Sequence, residues 1–229
     1  MTPFEFTSMS KKLTYILGGS VAVLIILVIV LALGKSKQGV SNLPTASNKQ
    51  TEEEKVIVLD AFLTGDRITQ MLLTPNEYSR PGDELKEVNG LVIHYVGNPG
   101  TSAENNRNYF ENLKDTKERS ASSHFIVGLE GEIIQCVPLE EISYASNNRN
   151  YDTIAIEVCH PDATGKFSQV TYEALVELTA ALCKSYKLDP MTDILRHYDV
   201  SGKECPVYYV QNESEWNYFL LQVNSKMKK

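Results

Sequence analysis

The sequence predicts an α/β domain with a mixed central β-sheet flanked by helices, preceded by a single N-terminal transmembrane helix. Three observations lead there. Short apolar, β-branched runs alternate with segments of helical periodicity. Two of those runs flank a Glu-Gly turn and read as a hairpin. Residues 13–33 carry no charge.

That uncharged run spans about 31 Å as a helix, close to the hydrocarbon thickness of a bilayer. The apolar core of a cleaved signal peptide is shorter, about 7–15 residues. Cleavage at the small-residue stretch Ala32-Leu33-Gly34 is the competing reading. Lys11 and Lys12 before the run balance Lys35 and Lys37 after it, so flanking charge does not set the orientation. The expected order is a short cytoplasmic tail at 1–12, an anchor at 13–34, a polar stalk at 35–74 and a globular domain at 75–229. Within the stalk region, residues 56–73 are mixed and read as a short helical or strand-like lead-in.

Residues 91–96 (LVIHYV), bounded by Gly90 and Gly97, read as a buried strand. Residues 103–113 read as a helix. Residues 123–129 and 132–137 flank Glu130-Gly131 as a hairpin. Residues 153–159 (TIAIEVC) form another buried strand. Residues 170–186 carry apolar side chains at 174, 175, 178, 181 and 182, a helical stripe. Thr171 is placed to cap that helix. Ile194-Leu195 is a brief strand, 197–206 a polar loop, and 213–223 a last helix.

With 42% hydrophobic and 22% charged residues, the chain is neither collagen-like nor disordered nor a disulfide-dense miniprotein. A net charge of -7 argues against a nucleic-acid partner. A monomer is expected. Cys136, Cys159 and Cys183 lie inside apolar patterns, as buried free thiols do. Cys205 differs, because it shares a polar loop with His197. With His94 at the end of a buried strand, two imidazoles and one thiolate make a known catalytic zinc set with one open position. His197 and Cys205 are not at the spacing of a closed structural site, and His94 is distant in sequence, so spacing alone leaves ordinary structural roles open. Glu157 interrupts an apolar strand, and a buried carboxylate requires either a salt bridge or a function. Lys203 reads either as a solvated loop lysine or as a charge for a developing oxyanion. His124 suits a satisfied core histidine. His160 follows a strand end, a position from which a histidine can reach a substrate, and nothing in the sequence ranks it as a ligand. Asn105, Asn106 and Arg107 fit a solvated helix start or a cleft edge. The run 147–150 (NNRN) reads as a polar loop.

Four ordered motifs then bring in a resemblance: IHYVGNPG (93–100), SHFIVGLEGEIIQCVP (123–138), IAIEVCHP (154–161) and RHYDVSGKECP (196–206). From about Arg80 to Val223 the chain resembles the zinc-dependent N-acetylmuramoyl-L-alanine amidases, which include phage amidase lysozymes and peptidoglycan recognition proteins. The likeness is nearest to forms in Gram-positive bacteria and their prophages. It implies a zinc ion on His94, His197 and Cys205, and catalytic roles for Glu157 and Lys203. Phage lysozymes carry a catalytic tyrosine where Ser123 stands here, so the resemblance puts that role on Glu157. The substrate it implies is peptidoglycan, cut between N-acetylmuramic acid and L-alanine of the stem peptide by a zinc-activated water. It also implies a catalytic domain outside the cell, tethered through the N-terminal helix. Two rivals are a non-catalytic peptidoglycan sensor, in which the cysteine ligand is typically lost, and a hydrolase with Cys205 as nucleophile and His197 as base.

Overall fold

Six short strands form one mixed sheet in the computed structural model, which describes residues 68–228. They are β1 (Ile68–Gln70), β2 (Gly90–Tyr95), β3 (Phe125–Val127), β4 (Ile133–Gln135), β5 (Thr153–Val158) and β6 (Ile194–Arg196), in the order β1-β4-β3-β5-β2-β6. The pair β3–β4 is antiparallel and every other neighbouring pair is parallel. The helices are α1 (Ala103–Thr116), α2 (Gln169–Tyr186), α3 (His197–Ser201), α4 (Val207–Gln211) and α5 (Glu213–Met227), with a 3-10 turn at Asn147–Arg149.

The long strands β2 and β5 lie side by side and are buried almost throughout. Parallel strands covered on both faces need continuous apolar sequence, as LVI and TIAI supply. Leu91, Ile93, Ile154, Ile156 and Val158 point to one face, where α2 and α5 complete the larger core through Leu175, Leu178, Phe219 and Val223. The other face carries Ile126, Ile134 and Cys159, packed with Phe110 and Leu113 of α1. Because α1 rests chiefly on β3 and β4, that face opens over the ends of β5 and β2. The site lies in this gap.

Local chemistry accounts for the helix boundaries. Ser102 and Asn105 form a reciprocal capping box at the start of α1. At α2 the cap is Ser168, whose hydroxyl accepts from the Thr171 amide, rather than the expected Thr171. The Thr171 hydroxyl instead donates to Gly128 O at 2.9 Å, tying α2 to the hairpin turn. Gly131 sits in that turn at φ 79°, where a Cβ would stand 3.0 Å from the Val170 carbonyl. The apolar stripe on α2 understates its burial. Val176, Thr179 and Ala180 are also enclosed, since α5 covers the side away from the sheet.

Two further expectations change. Ile68–Gln70, in the segment read as a helical or strand-like lead-in within the stalk, is a strand paired with β4, and backbone bonds from Met71 and Leu73 extend the pairing. The folded domain therefore begins before the boundary expected at 75. The polar loop expected at 197–206 opens with the helix α3, whose C-cap is Gly202 at φ 76°. The apolar run 13–33 lies outside the described residues, as do the tail and the stalk up to 67. Among the described residues no helix is long and apolar enough to cross a membrane.

Candidate active site

Three parallel strands deliver the central groups. His94 is near the C-terminal end of β2, Glu157 lies opposite it on β5, and His197 follows directly after β6. Parallel pairing brings those ends to one edge, the usual place for a site in an open α/β sheet. Cys205 arrives from the loop after α3. The Tyr198 amide donates to Cys205 O at 2.9 Å, and the Gly202 amide donates to Tyr198 O at 2.8 Å, so the loop folds back on its own helix.

Arg196 fixes the start of that segment. Its guanidinium reaches Asp199 at 2.8 Å, Glu213 at 2.6 Å and the Tyr209 carbonyl at 3.1 Å. It also lies over the Trp216 ring, 5.4 Å from the centroid. An arginine held on so many partners places the next residue, His197, firmly.

The donor atoms of His94, His197 and Cys205 all lie within 4.8 Å of one another, and all three residues are buried. The rings of His94 and His197 are 4.5 Å apart between centroids, and His94 Nδ1 is 4.0 Å from Cys205 Sγ. Zinc bond lengths in a tetrahedron put a nitrogen and a sulfur ligand about 3.5 Å apart, so small side-chain rotations suffice. His94 turns its second nitrogen to the buried Ser146 hydroxyl at 3.3 Å, leaving Nδ1 toward the cluster. His197 Nε2 is buried with no hydrogen-bond partner, an orphan that a cation would satisfy.

Electrostatics fit the same use. Burial, then the nearby His197 and Lys203 charges, push His94 well below its usual range. Burial and Lys203 likewise lower His197. Burial and Glu157 push the Cys205 thiol up to about 12, against the Tyr95 amide and Lys203. All three groups are therefore uncharged by themselves, as neutral imidazoles and a thiol awaiting a cation are. Burial pushes Glu157 up to about 8, with Lys203 opposing. Glu157 is half-buried as a residue, but its Oε2 is fully enclosed and unpartnered. Lys203 lines the same cleft, whose volume is about 780 Å³.

The other candidates separate cleanly. His124 is a satisfied core histidine, with Nε2 on the Glu141 carbonyl at 2.9 Å and Nδ1 accepting from the Ala155 amide at 3.0 Å. His160 is buried against the Tyr95 ring, 5.0 Å between centroids, and does not line the cleft. Ser123 is buried and donates to Phe125 O. Cys136, Cys159 and Cys183 are free and buried. Asn106, Asn147 and Asn150 line the cleft, whereas Arg107 turns away to the carbonyls of Met71 and Leu72. Sequence reasoning missed Ser146 and Arg119. Both lie in loops where no spacing rule points to a strand-borne partner.

A cleft at the ends of parallel strands, holding two imidazoles, a thiol and an enclosed carboxyl, has the form of a hydrolytic metal site. The family described as N-acetylmuramoyl-L-alanine amidase matches residues 84–208, and the chain belongs to it. The chain is 34% identical over 179 residues to the N-acetylmuramoyl-L-alanine amidase BlyA of Bacillus subtilis strain 168, covering 69% of this chain and 47% of that protein. It is 34% identical over 172 residues to the amidase CwlL of Bacillus licheniformis, with the same two coverages, 69% and 47%. The chain thus spans about half the length of the curated relatives it matches. Among solved structures it is similar to a mutant endolysin from Bacillus subtilis, at 25% identity and a TM-score of 0.57, covering 68% of this chain and 97% of that one. It is similar too to the catalytic domain of XlyA, at 25% identity and a TM-score of 0.58, covering 68% and 98%.

Proposed function

We propose that this chain hydrolyses the amide between N-acetylmuramic acid and the L-alanine of the peptidoglycan stem peptide. His94, His197 and Cys205 hold a zinc ion. The observation that carries this reading is the buried His-His-Cys triangle beside an enclosed carboxyl, in a chain of the amidase family.

A zinc ion held by His94, His197 and Cys205 would supply Lewis acidity to the scissile carbonyl and would lower the pKa of a water to about 7. Glu157 takes the proton from the attacking water and returns it to the leaving amine, a task for a carboxyl whose Oε2 is enclosed and without a partner beside the triangle. Lys203 sets its positive charge toward the oxyanion that develops on the carbonyl. Enclosure of the Glu157 Oε2 atom strengthens the electrostatic interactions that reach it.

The N-terminal run at 13–33 anchors the chain, and the amidase domain works outside the membrane, against the wall. The absence of any charge from that run supports this arrangement.

The test is digestion of purified peptidoglycan with mass analysis of the released peptides, alongside measurement of bound zinc. About one zinc per chain is expected, together with stem peptides bearing a free L-alanine amine. Replacement of His94, His197 or Cys205 by Ala removes metal and activity together. Full activity after complete removal of zinc by a chelator would favour the thiol mechanism instead, and zinc-loaded protein that binds but never cuts would favour a sensor.

A further inference from the structure

The loop after β5 lies along α4 residue by residue. A Cβ on Gly165 would stand 2.6 Å from Val207 Cγ1. The Lys166 ammonium lies 5.1 Å from the centroid of the Tyr208 ring, and the rings of Phe167 and Tyr209 are 4.8 Å apart between centroids. Three consecutive residues thus meet three consecutive residues, and the second set begins two positions after Cys205. The first contact is the closest, because only the missing side chain of Gly165 admits Val207.

The same loop supports His94. Tyr95, the next residue on β2, packs against the larger core with its ring on His160, 5.0 Å between centroids. A Cβ on Gly165 would also stand 3.4 Å from two atoms of the Tyr95 ring. The loop is closed on itself, since the Asp162 carbonyl accepts from His160 Nδ1 at 2.7 Å and from the Gly165 amide at 3.2 Å. Val207 and Tyr95 therefore converge on Gly165, and both are tied to the metal triangle. Tyr95 is adjacent to His94 and its amide hydrogen-bonds the Cys205 sulfur, while Val207 follows Cys205 by two residues.

A β-branched side chain has little rotamer freedom with which to move aside. A carbon 2.6 Å from Val207 Cγ1 is about 1 Å short of an ordinary contact, so the backbone that carries Cys205 would have to shift. A metal site tolerates ligand displacements of only about 0.2 Å. We propose that Gly165 is a positioning residue of the metal site. By leaving room for Val207 and Tyr95 to close on one point, it sets the separation of Cys205 from His94. This step rests on the zinc reading given above.

A double-mutant cycle on the full-length chain tests this, read through the metal rather than through turnover. Gly165 sits at φ 72°, so Gly165→Ala also strains the backbone, and Val207→Ala separates the two effects by removing the atom that the new Cβ would strike. Competition with a fluorescent chelator measures zinc affinity. Cobalt(II) in place of zinc reports the Cys205 sulfur through its charge-transfer absorption. Gly165→Ala is expected to weaken zinc binding about 10–100-fold and to reduce that absorption. The double variant recovers most of both, and Val207→Ala alone stays near wild type. Val207→Ile crowds the same contact without touching the Gly165 backbone, and is expected to weaken zinc binding in the same direction, which keeps the test decisive if Gly165→Ala does not fold. Unchanged affinity and spectrum in Val207→Ile or in folded Gly165→Ala, or a double variant no better than Gly165→Ala, would overturn the positioning role and leave the zinc reading intact. Wild type that takes up neither metal would overturn both.

Discussion

His94 and Glu157 stand directly opposite one another on the parallel strands β2 and β5, and so share one face of the sheet. A side chain that occupies the metal triangle and one whose carboxyl is enclosed beside it are thus fixed by the same ladder of backbone bonds. On the proposed mechanism, replacing Glu157 by Gln keeps shape and hydrogen bonding but ends proton transfer. Zinc content stays near one per chain, and kcat falls by about two to four orders of magnitude with little change in KM. A zinc-loaded Glu157→Gln protein with near-normal kcat would return the work to Lys203 and the metal.

Ser146 is buried behind His94 and accepts from, or donates to, its Nε2 at 3.3 Å. With Nδ1 turned to the metal triangle, Nε2 carries the proton and donates to the Ser146 oxygen. Such partners fix ring orientation, and their loss typically weakens metal binding about 10–100-fold. Competition against a fluorescent chelator measures this directly. Ser146→Ala is expected to release zinc at correspondingly lower chelator concentration, and unchanged affinity would remove Ser146 from the site.

His124 sets a pH dependence of stability. Its Nδ1 accepts from the Ala155 amide and faces the Ser143 hydroxyl at 3.1 Å, while Nε2 donates to the Glu141 carbonyl. Burial lowers it to about 4, with Glu141 opposing. The unfolded chain, titrating near 6.5, takes up this proton first. The folded state is therefore fully favoured above pH 6.5 and loses about 3 kcal/mol as pH falls to 4. His94 and His197 are lowered too and add in the same direction in zinc-free protein. The diagnostic is the slope: urea midpoints of a His124→Gln variant fall less steeply between pH 7 and 4.5 than those of wild type.

The anchor is tested by fractionation. Full-length protein is expected to sediment with membranes and resist alkaline carbonate, which strips peripheral proteins. A soluble product starting near Lys35 would show cleavage after Gly34 instead.

Much of this fold was legible because its signals are local. The runs LVI and TIAI, the Glu-Gly turn and the stripe on α2 each specify an element without help from distant residues. At Ile68–Gln70 only a helical or strand-like lead-in was legible, since a three-residue edge strand takes its identity from its partner β4 rather than from its own pattern. The cap of α2 was misplaced for a related reason. Ser168 and Thr171 are both good capping residues, and only the path of the hairpin decides which faces the helix end. At the site, the residues on strand ends stood out because a polar side chain in an apolar run is conspicuous. Ser146 and Arg119 sit in polar loops, where an unremarkable residue acquires its neighbours only when the sheet brings distant segments together.

The placement of β1 has a mechanical side. It is the outermost strand at the edge farthest from β5, β2 and β6, whose ends carry the reacting groups. Tension along the chain before Ile68 therefore enters the sheet at β4, across three residue pairs and the bonds from Met71 and Leu73. A pull strong enough to peel β1 away would spend itself on that short ladder. The five remaining strands, and the spacing of His94, Glu157 and His197, would stay as they are. The domain can be tugged from its N-terminal side without the edge that carries His94, Glu157 and His197 being deformed.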